Sequence, residues 1–212
     1  MIERLPLIPR IRGLIARRVE RPGAYSALQR AVGSDRVWTV FLDTLLRPTP
    51  GLRILDVGCG PADVLGYLPE VDYLGIDPNP AYIEGARKRF ASRGRFEAWD
   101  IAALAAQRPA PFDVILLLGV LHHLTDAQAA HILGHAAALV APGGRLLTLD
   151  GCRTPHIPAL TRFLYWADRG DFTRDQAGYE ALVRPFFPRI SATLRDDLLR
   201  LPYTYLALDA RP

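Results

Sequence analysis

Residues 54–61 read Ile-Leu-Asp-Val-Gly-Cys-Gly-Pro, and this stretch decides the fold of the chain. The end of an apolar strand runs into two glycines, which let the backbone turn sharply and let a ligand approach closely. A short helix is predicted directly afterwards, from Asp63 to Leu68. In open α/β sheets ligands bind at the carboxyl ends of the strands, where this turn would lie. The stretch therefore predicts the first strand and the binding loop of a parallel α/β fold.

Outward from this loop, short apolar runs alternate with helical segments. Asn79 followed by Pro80 marks one helix start, and a capping box from Thr125 to Gln128 marks another. The run over 112–118 is apolar enough for a strand buried on both faces. Strands alternating with helices indicate βαβ units around a parallel sheet. The predicted elements are strands over 53–57, 73–76, 95–99, 112–118 and 145–149, helices to about Ala91 and Val140, a helix over 173–187, and a closing strand pair over 190–194 and 204–208.

Length and composition set further bounds. The 212 residues predict one domain, and half of them are hydrophobic, which is enough for a sizeable core. The net charge of +4 speaks to solubility and steering more than to a particular ligand. The two cysteines, Cys59 and Cys152, form no disulfide framework or metal spacing, so we expect a cytoplasmic protein without a bound metal. No apolar run has the length of a transmembrane helix, and no secretory signal is visible.

The chain divides into an N-terminal part and a main domain. Residues 1–47 are predicted to form a basic arm and cap helices, and residues 48–212 the main domain, with 151–188 as a lid over an acceptor pocket. Residues 1–22 place arginines between apolar residues at helical spacing. Such a segment can lie on an anionic membrane surface. A solvated arm, or a helix covering the cleft, is the alternative that charge runs of this kind usually favour.

Two further acids follow predicted strands. Asp77 ends the second strand about 20 residues after the glycine loop, where an acid that binds ribose hydroxyls is expected. Asp100 ends the third strand and can accept a hydrogen bond from an exocyclic amine. Each acid also has an alternative without a ligand. Asp77 could merely begin the turn before Pro78, and Asp100 could simply face solvent.

Taken together, these segments resemble the class I S-adenosylmethionine (SAM) dependent methyltransferases. The matching motifs are LDVGCGPAD at 55–63, GIDPNP at 75–80, WDI at 99–101, FDVILLLGVLHHL at 112–124 and APGGRLLTLD at 141–150. The resemblance implies a Rossmann-like α/β fold with helices on both faces of a seven-stranded, mostly parallel sheet. Its implied strand order is 3-2-1-4-5-7-6, with the last strand antiparallel. Alanine stands at position 62, where a third glycine is common in that superfamily.

The resemblance also implies a role for individual residues. SAM would be the cofactor, S-adenosylhomocysteine the product, and a small molecule the methyl acceptor. Asp56 would fix the amino group of SAM, and Asp77, with Pro78 beside it, would hold the ribose hydroxyls. The remaining cofactor contacts implied are Gly58, Cys59, Gly60 and Gly119 at the methionine part, and Asp100 and Ile101 at the adenine.

The pair His122-His123 follows the fourth strand. In the superfamily that the chain resembles, residues at this position contact both the cofactor and the acceptor. A hydroxyl or protonated amine must lose a proton during methyl transfer, and histidine suits that role near neutral pH. We expect at most one of the two to be the base, with His123 slightly ahead, and a structural cap of the turn is the alternative. The acceptor pocket is expected from the N-terminal helices and from aromatic and basic residues of 151–172, namely Arg162, Phe163, Tyr165, Trp166 and Arg169.

Three other functions compete with a small-molecule O- or N-methyltransferase. A nicotinamide oxidoreductase would need glycine where Asp63 stands, because an acid there repels a pyrophosphate. A SAM-binding protein without catalysis, acting as a regulator or scaffold, keeps the same motifs. A nucleic-acid or membrane-associated methyltransferase would use the arginine-rich N-terminus. No nucleic-acid-binding module is visible, and the sequence does not fix the oligomeric state.

Overall fold

The computed structural model describes residues 34–155, 161, 171–199 and 203–212. In these ranges five α-helices and seven strands alternate along the chain. They are α1 (Ser34–Phe41, continued by a π-helical turn at Leu42–Leu46), β1 (Arg53–Val57), β2 (Asp72–Ile76), α2 (Pro80–Phe90), β3 (Arg95–Glu97), α3 (Ile101–Ala106), β4 (Phe112–Leu118), α4 (Asp126–Leu139), β5 (Val140–Gly151), α5 (Gln176–Val183), β6 (Arg189–Arg195) and β7 (Tyr205–Arg211). Two short 3₁₀ helices, Asp63–Tyr67 and Leu121–His123, follow β1 and β4.

The described strands form one sheet in the order β3-β2-β1-β4-β5-β7-β6. The pairs among β1 to β5 are parallel, whereas β7 runs antiparallel to both β5 and β6. The predicted sheet order and Rossmann-like class are therefore confirmed. Because β1, β2, β3 and β4 are parallel neighbours, the loops after all four strands lie along one edge of the sheet.

Helices cover both faces of the sheet. On one face α3, α4 and α5 pack against the strands, burying residues such as Leu104, Leu133 and Val183. On the other face the α1 segment, the 3₁₀ helix after β1 and α2 do the same, burying Phe41 and Ile83 among others. α5 is part of the first core, so the predicted lid range of 151–188 ends in residues that pack into the fold. The range 151–188 as a lid, like the basic arm over 1–22, stays a prediction for the residues outside the described ranges.

The local signals in the sequence worked well at helix starts. Asn79 accepts a hydrogen bond from the backbone of Ala81 at the start of α2, and Thr125 forms the predicted capping box with Gln128 before α4. The prediction missed α3, because a short alanine-rich segment after Asp100 carries no apolar periodicity. It also began β5 too late, since the Pro-Gly-Gly segment bulges inside the strand between the pairs Phe112–Val140 and Val114–Arg145.

Candidate active site

The loop after β1 depends on glycine backbone conformations. Gly58 and Gly60 have φ values of 72° and 53°, in the left-handed region that favours glycine. The backbone N–H groups of Gly58 and Cys59 both donate to the carbonyl of Ile76, at 2.8 and 3.0 Å, which ties this loop to the end of β2. A Cβ on Gly58 would lie 2.9 Å from Val120, so the loops after β1 and β4 touch here. Ala62 is also left-handed, with φ of 57°, a conformation in which glycine would be unstrained.

Asp77 is the acid that fastens this loop. Its side chain is buried, and its two carboxylate oxygens accept the backbone N–H groups of Gly60 at 3.0 Å and Asn79 at 2.8 Å. Burial raises the pKa of Asp77, while the hydrogen bonds from Asn79 and Gly60 act in the opposite direction. Each carboxylate oxygen can accept a second hydrogen bond, which is the capacity that a vicinal diol requires. Pro78, next to it, is exposed.

Asp56 lies deeper, beneath the loop at the end of β1. It is 2% exposed, and its Oδ2 accepts a hydrogen bond from the hydroxyl of Tyr73 at 2.5 Å. Burial raises the pKa of Asp56 to about 7; the hydrogen bond from Tyr73 lowers it, and the nearby charge of Asp77 raises it. Cys59 packs on the same side, where its thiol would lie 2.9 Å from a Cβ on Gly75. Burial raises the pKa of that thiol far above its ordinary value, so Cys59 is a packing residue and a poor nucleophile.

The predicted adenine contacts occupy the start of α3. Asp100 is exposed and caps that helix, because its Oδ1 accepts the backbone N–H of Ala103 at 2.8 Å. Ile101 is the first residue of the helix and is buried in the core. The structure thus adds a capping function to Asp100 that the sequence reading did not include, and the second carboxylate oxygen is available for a ligand.

Gly119 and the histidine pair follow β4. Gly119 has φ of 71°, and a Cβ there would lie 3.7 Å from Cε1 of His122, so the His122 ring lies beside the glycine backbone. His122 is 4% exposed, and its Nδ1 lies 2.8 Å from Oδ1 of the buried Asp150, which also accepts the His122 backbone N–H at 3.1 Å. His123 is exposed, and its ring lies 4.0 Å, centroid to centroid, from that of His122. The buried acid that can orient a base therefore lies against His122, whereas His123, which the sequence slightly favours, is exposed.

Two residues at this site carried a signal that the sequence reading did not use. Asp150 is the second-last residue of β5, and β5 is the parallel neighbour of β4, so its carboxylate was another acid near a strand end on the same edge of the sheet. Tyr73 lies in β2, where two neighbouring glycines make room for its ring: a Cβ would lie 3.1 Å from it at Gly75 and 2.8 Å at Gly94. The hydroxyl of Tyr73 on a mostly apolar strand indicates a buried hydrogen-bond partner nearby.

The predicted acceptor-pocket residues 162–170 lie outside the described ranges. Arg36 in α1 lies before the glycine loop, and its Nη2 is 3.9 Å from the carboxylate of Asp197, with both side chains largely exposed. An exposed pair of this kind contributes little to stability. Within the part of the chain that the structure describes, no helix is long and apolar enough to cross a membrane.

Comparison with known proteins matches this geometry to methyltransferases. A family model described as a methyltransferase domain matches residues 55–146. The ubiquinone biosynthesis O-methyltransferase of Sinorhizobium medicae (strain WSM419) is 33% identical over 148 residues, which cover 66% of this chain and 57% of that protein. The chain thus spans little more than half the length of the first such relatives that it matches.

Solved structures give the same result for the fold. The apo crystal structure of the S-adenosylmethionine-dependent methyltransferase SibL matches with a TM-score of 0.67 and 25% identity, covering 90% of this chain and 56% of SibL. The N-methyltransferase NodS from Bradyrhizobium japonicum WM9 matches with a TM-score of 0.63 and 20% identity, covering 84% of this chain and 96% of NodS. These matches cover a larger share of the chain than the motif region over 55–150.

Proposed function

We propose that the chain is a class I SAM-dependent methyltransferase and that it transfers a methyl group from SAM to a hydroxyl group of a small, planar molecule. The observation that carries the proposal is the buried pair of His122 and Asp150 beside the glycine-lined cofactor edge. The matched relatives are named as O-methyltransferases of ubiquinone biosynthesis, which supports oxygen as the acceptor atom. Nitrogen is the second candidate for the acceptor atom.

The charges of the loop region support SAM as the ligand. Asp56 and Asp77 are both buried at the glycine loop, and no arginine or lysine among the described residues forms a salt bridge with either. SAM carries an ammonium and a sulfonium, which such acids would stabilise, whereas the pyrophosphate of a dinucleotide would be repelled. Asp63 adds a third acid, although it is paired with Arg89. This balance argues against the nicotinamide oxidoreductase considered above.

In the proposed site each group of the chain has one task. Asp56 attracts the methionyl ammonium, Asp77 accepts hydrogen bonds from the ribose hydroxyls, and Gly58, Cys59, Gly60 and Gly119 let the backbone approach. Asp100 and Ile101 lie at the adenine end. SAM supplies an activated methyl group on sulfur, which leaves S-adenosylhomocysteine after an in-line displacement that depends on alignment.

His122 is the proposed general base. When Nδ1–H donates to Asp150, the lone pair of the imidazole is on Nε2, which can take the proton from the acceptor hydroxyl as the C–O bond forms. Asp150 then stabilises the resulting imidazolium and keeps the ring in place. His123 is exposed and has the secondary role of packing beside this ring.

The class of acceptor and the cellular location are also proposals. A small-molecule acceptor is favoured over nucleic acid or a membrane-bound substrate, because the relatives act in small-molecule metabolism by name. A non-catalytic scaffold has no use for an oriented buried base, so the pair of His122 and Asp150 counts against it. The cytoplasmic location stays a prediction from the cysteine content.

The first test is calorimetric titration with SAM, S-adenosylhomocysteine and NADH. We expect micromolar binding of the first two and none of NADH. Mass spectrometry would then follow methyl transfer to a panel of catechols and phenols, with matched anilines as the nitrogen arm. Transfer to hydroxyls that is lost in the His122→Gln variant supports the proposal. SAM binding without transfer to any acceptor would bring the scaffold alternative forward, and transfer to anilines alone would overturn the choice of oxygen.

A further inference from the structure

Arg174 lies outside every motif discussed so far, in the segment that leads into α5. Its side chain is 13% exposed, and buried charges are stable only when they are paired and hydrogen-bonded. The guanidinium has five N–H donors in a fixed plane, so it can fasten several acceptors in one geometry. The acceptors of its hydrogen bonds show which segments of the chain Arg174 holds together.

Those acceptors surround the histidine pair. Arg174 Nη1 donates to the carbonyl of Leu121 at 2.9 Å, and Nη2 donates to the carbonyl of Leu124 at 2.8 Å. Between them, the carbonyl of His122 accepts the backbone N–H of Phe172 at 3.1 Å. Three carbonyls of the turn over 121–124 are therefore held by the segment 172–174. The carbonyl of Leu121 also accepts the backbone N–H of Leu124 at 3.2 Å within the turn, and the bonds from Arg174 and Phe172 hold this single 3₁₀ turn in place from outside.

The same side chain also fixes the helix that follows the turn. Nε and Nη2 of Arg174 both reach Oδ1 of Asp126, at 3.0 and 2.5 Å, in the first turn of α4. The guanidinium lies 5.7 Å from the ring centroid of Tyr179 in α5, and the Tyr179 hydroxyl donates to the carbonyl of Gly151 next to Asp150. Arg174 thus connects the His122 turn, α4 and α5 around the end of β5.

We propose that Arg174 is a positioning residue that holds the backbone of the turn over 121–124, so that the imidazole of His122 stays aligned between Asp150 and the acceptor. This inference rests on the proposed function, because alignment matters only if His122 is the base. Asp150 fixes the ring at one atom, and Arg174 fixes the backbone on both sides of it. A displacement of about 1 Å at a reacting group can reduce turnover about 100-fold.

The test compares Arg174→Met and Arg174→Lys with Arg145→Met as the matched control. Arg145 is a similarly buried arginine, 17% exposed, that donates to the carboxylate of Asp209 and to the carbonyl of Leu46, away from the histidine turn. We expect Arg174→Met to lower kcat about 100-fold with the Kd for SAM nearly unchanged, and Arg174→Lys to recover part of the loss. Arg145→Met should lower the unfolding midpoint in urea while leaving kcat near the wild-type value.

A double-mutant cycle separates positioning from general damage. In the His122→Gln background the Arg174→Met substitution should cause almost no further loss of kcat, because the base it positions is already gone. Multiplicative losses, or an equal loss of kcat in Arg145→Met, would overturn the proposal.

Proton NMR of the apo protein provides a readout that needs no acceptor. The Nδ1–H proton of His122 should exchange with solvent faster in Arg174→Met than in the wild type and in Arg145→Met. If no acceptor is ever methylated, the proposed function fails while this measurement still tests the role of Arg174. An unchanged exchange rate would overturn that role.

Discussion

Replacing Asp56 by asparagine should stabilise the protein without ligand, and increasingly so as the pH rises. Burial raises the pKa of Asp56 from 3.8 to about 7, so the folded state resists ionisation of a group that is ionised in the unfolded chain. Below the ordinary pKa both states hold the proton and nothing is lost. As the pH rises toward 7 the folded state binds more protons than the unfolded one, so stability falls. Above the folded pKa the full penalty is present.

The size of the effect follows from the two pKa values. The rise from 3.8 to about 7 corresponds to about 4 kcal/mol of unfolding free energy at alkaline pH. Between about pH 5 and about pH 8.5 the change is about 3 kcal/mol, because part of the penalty is already present at the lower value. Asparagine has the same shape and does not titrate, so the Asp56→Asn variant should not show this loss. It can still accept the hydrogen bond from Tyr73.

Urea unfolding of wild type and variant at the two pH values measures the difference directly. The advantage of Asp56→Asn should grow by about 3 kcal/mol from the lower to the higher pH, and adding SAM at the higher pH should stabilise the wild type much more than the variant. A difference between wild type and variant that stays constant with pH would refute the raised pKa. An equal response of both proteins to SAM would refute the role of Asp56 toward the ammonium.

Three further predictions concern neighbouring side chains. Asp77→Ala should weaken SAM binding about 10- to 100-fold in calorimetry with unchanged circular dichroism, through the loss of charged hydrogen bonds, and an unaltered Kd would remove the ribose assignment. His122→Gln should lower kcat about 100-fold or more, whereas His123→Ala should leave it near the wild-type value; the opposite order would return the base role to His123. Tyr73→Phe removes the bond that lowers the pKa of Asp56, so stability should go on falling to a higher pH than in the wild type, while Tyr179→Phe, which removes another buried hydroxyl, should not move this upper limit.

The histidine pair illustrates where sequence reasoning reached its limit at the site. Both histidines are candidates from their place after β4, and the sequence slightly favours His123 as the base, whereas the structure buries His122 beside Asp150 and leaves His123 exposed. The burial of His122 and its contact with Asp150 depend on how the turn over 121–124 packs against β5. Asp150 is 28 residues away from His122 along the chain. No local pattern in the sequence reports such a contact, and the same holds for Arg174, 50 residues from the carbonyl of Leu124 that it binds.

The fold itself was largely open to prediction because its signals are local. The glycine loop, the helix caps at Asn79 and Thr125 and the apolar run over 112–118 each depend on residues within a few positions of one another. The two elements that were mispredicted, α3 and the start of β5, also have physical reasons. α3 has only six residues and begins at a cap whose acid had been read as a ligand group, and β5 contains a bulge that looked like a turn.

By itself the sequence determined the alternation of strands and helices, the strand-end acids and the glycine turns, since these follow from periodicity and backbone preference. The tertiary structure alone decided which histidine is buried, which acid holds it, that the Tyr73 hydroxyl reaches Asp56, and that Arg174 binds the turn over 121–124. Those features arise from side chains far apart in the chain that meet only when the parallel strands align. Their energies depend on burial, and burial exists only after the whole sheet is covered on both faces.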